Sequence, residues 1–251
     1  MKLFANILSE GVSSFFLHVL AMILMLGDHL WATLLPHLSI LTWLGRIAFP
    51  IFAFLIVEGY FHTHDFRKYL LRLFIFALIS EVPFNLITGG GIFYPFHQNV
   101  LFTFILGLLA IRFLDNCRQK GNIYLYILSC ILISVLSLLI GTILMVDYFG
   151  VGVLLVVVFY IFHKPSWYNR LFTFAITFYL FVEILGGYYY PINIFGLEIE
   201  LYEQAFGLLA FIPIWLYKGR QGYHEKWFQW FCYGFYPGHL LIIYLIWQLL
   251  I

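Results

Sequence analysis

GDHLWATLLPHLSILTWLGRIAFPIFAFLIVEG, residues 27–59, sets Asp28, His29, Arg46 and Glu58 into a run that otherwise reads as bilayer-spanning helix. The eleven residues from Ile47 to Val57, between Arg46 and Glu58, are uncharged. As α-helix they rise roughly 17 Å, against a hydrocarbon core of about 30 Å. The two charges therefore cannot occupy opposite headgroup layers, and at least one lies inside the membrane. An ionisable group there costs roughly 2.5–3.5 kcal/mol on insertion scales and marks a functional site by default.

The rest of the chain has the same character. Of 251 residues, 63% are hydrophobic and 10% charged, where a soluble domain carries about 25% charged residues. The composition predicts an all-α, polytopic transmembrane protein. Runs such as LYILSCILISVLSLLIGTILMV are continuous, unlike the alternating ten-residue segments of an outer-membrane barrel. The net charge of +1, without a basic tail or a Gly-rich phosphate loop, gives no support to a nucleic-acid partner. Cys117, Cys130 and Cys232 lack metal-ligand spacing, so no metal site is expected and the thiols read as packing residues or as solvent-exposed thiols. The start, MKLFANILSEGVSSFF, has no small-x-small cleavage site after its short apolar run and reads as retained. No repeat or linker interrupts the chain, which reads as one integral-membrane domain over 1–251.

Hydropathy predicts nine spans, at about 14–36, 40–62, 69–88, 98–114, 122–145, 147–163, 170–187, 202–217 and 229–250, with bends at Pro50 and Pro237. One set of ends carries Lys2, Arg67, Lys68, Arg72, Arg112, Arg118, Lys120, Lys164, Arg170, Lys218, Arg220 and Lys226, twelve of the thirteen basic residues. The other carries Arg46. The positive-inside rule then places the amino terminus in the cytoplasm and the carboxyl terminus outside.

That orientation gives depths to the polar residues. Asp28, His29 and Arg46 fall in the outer halves of their spans, and Glu58 near an inner end. Glu81 is well inside the third span with Asn85 one turn later on the same face. His97 and Asn99 stand at the outer entrance of the fourth, Asp147 at an outer junction, Glu183 in an outer half, and His239 near the middle of the last span. The titratable groups gather toward the extracytoplasmic side, which suggests a polar cavity there.

Each residue also has an ordinary structural reading. A lone membrane histidine such as His239 commonly serves only as a helix–helix hydrogen-bond partner, and Asp28 with Arg46 can form a purely structural ion pair. Glu81 has no cation in its own helix, so its partner comes from elsewhere or it is protonated. The charges of HTHDFRKYLLR can simply set topology, or Arg67, Lys68 and Arg72 can receive phosphates. The Tyr-rich stretch GGYYYPINIFGLEIELYE reads as interfacial, by the aromatic-belt rule, or as a lid.

The segments MLGDHL (25–30), LGRIAFPIFAFLIVEGYFHT (44–63), YLLRLFIFALISEVPFNL (69–86), NVLFTFILGLL (99–109), DYFGVGVLL (147–155) and FYPGHLL (235–241) resemble, in order, the TraX proteins, named for acetylation of the conjugative F-pilin. That family is similar to the membrane acyltransferases that carry acyl groups from cytoplasmic coenzyme A to extracytoplasmic acceptors. The resemblance implies an acetyltransferase whose donor is acetyl-CoA and whose acceptor is not specified. With the depth argument, it points to His29, Asp28, Arg46, Glu81 and His239 as catalytic residues. Arg67, Lys68, Arg72, Glu58 and His62 are implied for the donor, and Asn85, His97, Asn99 and Asp147 for the acceptor or oxyanion.

Acyl transfer fits these residue types. It needs a base near neutral pH, for which histidine, and here His29, is suited. It also needs donors for a developing oxyanion, which Arg46, Asn99 or His239 can supply. A thioester is already activated, and no Ser or Cys sits in a nucleophile motif, so direct transfer is expected. The competing reading is a transporter or channel lined by Asp28, Arg46 and Glu81. Inverted repeats would mark it, and the sequence has none in view. A non-catalytic scaffold fits poorly with so many buried charges.

Overall fold

The computed structural model describes residues 11–194 and 196–250. In chain order they form β1 (Val12–Ser13), α1 (Ser14–Thr33), α2 (Ile40–Gly45), α3 (Ala48–His62), α4 (Phe66–Thr88), α5 (Val100–Gln119), α6 (Ile123–Ile143), α7 (Phe149–Ile161) and α8 (Trp167–Tyr179). A π-helical turn (Leu180–Leu185) leads to β2 (Tyr189–Ile194) and β3 (Leu197–Tyr202), a 3-10 segment (Glu203–Ala210), α9 (Phe211–Leu216), β4 (Tyr217–Arg220) and α10 (Lys226–Leu250). The fold is all-α and polytopic, as expected. Lys2 and most of the segment read as retained lie outside the described residues.

Helices start where a side chain can cap them. Oxygens of Ser13, Asp65, Asn99 and Asn122 accept the backbone N–H of Phe16, Lys68, Leu101 and Leu125 at 3.2, 3.0, 3.1 and 3.1 Å. Each bond satisfies a donor that has no partner within its own helix. The bend expected at Pro50 takes the form of a break one turn earlier: α2 stops at Gly45, and Pro50 sits in the first turn of α3. The missing proline N–H is not needed there.

Among the described residues, seven helices are long and apolar enough to cross a bilayer: Ser14–Thr33, Ser39–His62, Phe66–Thr88, Val100–Gln119, Ile123–Ile143, Trp167–Leu185 and Lys226–Leu250. This corrects the expectation of nine. The segments expected at 147–163 and 202–217 are helical but shorter, at Phe149–Ile161 and Glu203–Leu216. Hydropathy alone cannot separate the two cases. Every residue of α7 from Gly150 to Tyr160 is buried, so its apolar content answers to protein neighbours rather than to lipid.

The chain divides into two compact units, one comprising residues up to Leu55 with Arg170–Cys232, the other Ile56–Asn169 with the chain from Tyr233 onward. In the first, α1 packs on α2, α2 on the 3-10 segment, and β1 pairs in parallel with β4. The stretch read as an interfacial loop contains an antiparallel hairpin of β2 and β3, paired from Tyr189–Tyr202 to Ile194–Leu197. In the second unit, α5, α6 and α7 pack mutually and α4 lies on α5.

Glycines permit that packing. Gly107 faces Val156 across α5 and α7, and Gly141 meets the backbone of Gly150 across α6 and α7. Close backbone approach through small residues is the usual substitute for hydrophobic drive between membrane helices. A Cβ on Gly150 would overlap the Leu138 backbone, whereas one on Gly234 in α10 meets open space. Gly150→Ala should therefore destabilise the protein by about 1–3 kcal/mol, while Gly234→Ala should be neutral or slightly stabilising. Thermal unfolding in detergent distinguishes the two, and equal shifts would contradict the packing.

Candidate active site

Asn99 organises the polar residues of the second unit. Its side-chain oxygen caps α5, and its Nδ2 donates to the Ala77 carbonyl at 2.9 Å and to Glu81 Oε2 at 2.5 Å. One fully buried amide thereby fixes the start of α5, the middle of α4 and the Glu81 carboxyl. Asn85, one turn after Glu81, is also buried and donates to the Ile92 carbonyl at 3.3 Å. Glu81 Oε1 and Asn85 Oδ1 are buried without a well-aligned donor among the described residues, and the Asn85 side chain lies within reach of the Glu81 carboxyl.

The turn between α6 and α7 docks on the same place. The Gln98 N–H donates to the Met145 carbonyl at 2.9 Å, the Asp147 N–H to the Gln98 carbonyl at 2.9 Å, and the Thr103 hydroxyl to the Asp147 carbonyl at 2.7 Å. This sets Asp147 Oδ1 3.4 Å from His97 Nε2. The turn is strained: Met145, Tyr148 and Phe149 adopt φ of 51°, 59° and 48°. Left-handed backbone in non-glycine residues costs about 1–3 kcal/mol each and clusters at functional sites. Tyr236, buried in α10, accepts from the Val100 N–H near Asp147 and Glu81.

Five sequence candidates thus meet: Glu81, Asn85, His97, Asn99 and Asp147. His239, one turn beyond Tyr236, is buried, stacked on Phe235, and bonds through Nδ1 to the Phe235 carbonyl at 2.6 Å.

Asp28, His29 and Arg46 belong to the first unit. Arg46 lies 3.7 Å from Asp28 Oδ1, but its nearer partner is Glu203, whose Oε1 accepts from Nη2 at 2.9 Å and Nε at 3.0 Å. Buried Thr42 sits between them, accepting from Arg46 Nη2 at 2.8 Å, with its hydroxyl 2.8 Å from Asp28 Oδ1 and 3.2 Å from Glu203 Oε1. Sequence reading missed Glu203. Its signal was available, since it is the last charge before the apolar run AFGLLAFIPIWL. His29 lies half-buried on α1, its backbone carbonyl accepting from the Thr33 hydroxyl at 2.7 Å.

The residues expected at the donor end separate. Arg67, Lys68, Arg72 and His62 are exposed, with Lys68 paired to Asp65 at 3.2 Å. Glu58 is instead buried, with its Oε1 2.6 Å from Nε2 of His163, a partner that sequence reading did not find. Nearby, Asp115 accepts from the hydroxyls of Tyr60 at 2.9 Å and Tyr160 at 3.1 Å. Among the described residues no group of three or more His, Cys, Asp or Glu could hold a metal ion.

Two measurements probe these clusters. The hydrogen bond to Asp147 raises the pKa of His97, outweighing desolvation. A raised folded-state pKa gives stability that is complete below the unfolded value of about 6.5 and disappears as pH rises through the folded one. The stability difference between wild type and His97→Gln should therefore narrow as pH rises from about 6 to about 9, and a constant difference would remove the charged pair. For Arg46, Arg46→Gln should cost about 3–5 kcal/mol by stranding Glu203. Adding Glu203→Gln should recover part of that loss in thermal unfolding, and additive losses would deny the coupling.

No solved structure matches the chain. Over 110 residues it is 36% identical to the probable fimbrial assembly protein FimC, serogroup H1, of Dichelobacter nodosus, an alignment covering 39% of this chain and 45% of that protein. The chain therefore spans less than half the length of that relative. The TraX protein family profile matches residues 13–247. With the match running from the first residues of α1 into the last turns of α10, the chain belongs to the TraX family.

Proposed function

We propose that this protein is an integral-membrane acetyltransferase that moves the acetyl group of acetyl-CoA to an amine or hydroxyl of an extracytoplasmic acceptor. Family membership supports the reaction class, and the fimbrial assembly relative supports a pilus subunit or another envelope component as acceptor. The observation that carries the reading is local. Two buried acceptor oxygens, Glu81 Oε1 and Asn85 Oδ1, stand in the same cluster as an imidazole oriented by a carboxylate. A nucleophilic amine or hydroxyl must donate hydrogen bonds and lose a proton, and this cluster offers groups for both.

In this reading His97 takes the proton from the nucleophile while Asp147 holds the ring and stabilises the imidazolium. Its raised pKa moves the titration toward neutral pH, where a base also serves to return the proton. The nucleophile attacks the thioester carbonyl, the C–S bond breaks, and the coenzyme A thiolate leaves. Arg67, Lys68 and Arg72 at the start of α4 are the phosphate partners, on the cytoplasmic side by the positive-inside rule. Arg72 lies nine residues before Glu81, about 14 Å along the same helix, a rise for the extended pantetheine arm to cover. His29, with Asp28 and Arg46, is the alternative base in the first unit, and His239 an alternative oxyanion donor.

Envelope peptides and glycans from cells with and without the gene, compared by mass spectrometry, should differ by an acetyl-sized modification. His97→Gln and Asp147→Asn should lower that transfer by about 10²–10⁴-fold, with coenzyme A still stabilising the purified protein against heat. Replacing Arg67, Lys68 and Arg72 by Gln should weaken the donor and leave the acceptor nearly unaffected. Loss in His29→Gln with retention in His97→Gln would move the base to α1. Failure of coenzyme A to stabilise the wild type would favour a transporter instead.

A further inference from the structure

The β2–β3 hairpin has two chemically distinct faces. In an antiparallel pair, directly opposite residues project to the same side and alternate along the strand. The pairing Tyr190–Leu201 and Ile192–Ile199, with Leu197 next on the same side, makes one face apolar. The pairing Tyr189–Tyr202, Pro191–Glu200 and Asn193–Glu198 makes the other polar and acidic. The root of the apolar face is held by the protein: the Trp43 indole N–H donates to the Tyr190 hydroxyl at 3.0 Å, and Trp43 stacks on Phe206. Toward the tip, Ile192, Ile199 and Leu197 are 37%, 45% and 68% exposed.

A two-stranded hairpin is at best marginally stable alone in water, and this one leaves more than a third of Ile192, Ile199 and Leu197 uncovered by the described chain. What covers them follows from where the hairpin begins and ends. It leaves the apolar segment Trp167–Leu185 and returns into Glu203–Leu216. Exposed Ile184 precedes it, and exposed Leu209 and Ile212 follow it, so the same apolar phase reaches both of its ends. Exposed Tyr188 and Tyr189 stand at the root, the residue type that membrane interfaces enrich.

We propose that the hairpin lies along the bilayer surface, with Ile192, Leu197 and Ile199 in the lipid interface and Glu198 and Glu200 turned to water. Tyr190 on Trp43 then fixes the roll of the hairpin about its long axis, and the carboxylates avoid the desolvation that lipid would impose.

The test uses the whole protein in phosphatidylcholine vesicles, with an environment-sensitive fluorophore at 197, 198, 199 or 200 in turn. The label goes on a single introduced cysteine after Cys117, Cys130 and Cys232 are changed to Ala. A fluorescent amino acid incorporated at the same positions of the natural chain serves if that background does not fold. Labels at 197 and 199 should emit to the blue and be quenched by nitroxide-bearing lipid severalfold more than those at 198 and 200. Soluble iodide should give the opposite order. Four labels equally open to iodide would overturn the proposal in favour of a solvated hairpin. Protection at 197 and 199 that vanishes on dilution with lipid would overturn it in favour of a second copy.

Discussion

In a chain surrounded by hydrocarbon, a buried polar group must find its partner within the protein, because the bilayer core offers none. Asn99 meets that constraint with three bonds from one side chain. Its oxygen closes the start of α5, and its amide binds a carbonyl and a carboxylate of α4. The backbone before it carries the Gln98 bonds to the α6–α7 turn. Take away that amide and the helix start and the Glu81 carboxyl each lose a support at once. Alignment of the cluster is therefore a by-product of satisfying one side chain.

The first unit answers the same constraint with charge. Arg46 cannot be left alone in an apolar segment, and it is surrounded by Glu203, Thr42 and Asp28. Gly45 makes that possible, since a side chain there would overlap Asp28. Buried ion networks of this kind add little net stability relative to apolar packing but penalise the loss of any one member heavily. They specify an arrangement more than they strengthen it.

The sequence was informative where one physical rule had one outcome. Continuous apolar runs required helices, and the short interval from Arg46 to Glu58 required buried charge; both follow from lengths alone. Asn99 was legible as the entrance to a span because it precedes VLFTFILG, and Glu81 with Asn85 share a face by helical spacing. Partnerships across helices were not legible. His163 with Glu58, and Asp115 with Tyr60 and Tyr160, are separated by 105, 55 and 45 residues, and no local rule connects them. The left-handed backbone around Asp147 was hidden too, because Met, Tyr and Phe carry no signal for it. Span counting overshot for a related reason: α7 is apolar through burial in protein, a condition that a hydropathy window cannot distinguish from lipid.

The shortness of α7 has a bearing on distance. The helix begins just after Asp147 and ends just before His163, so the His97–Asp147 and His163–Glu58 pairs stand at its two ends. Thirteen residues rise about 20 Å, two thirds of the hydrocarbon thickness of an ordinary bilayer. In the proposed reaction, a donor arm laid along this helix would have to cover that rise to join one pair to the other.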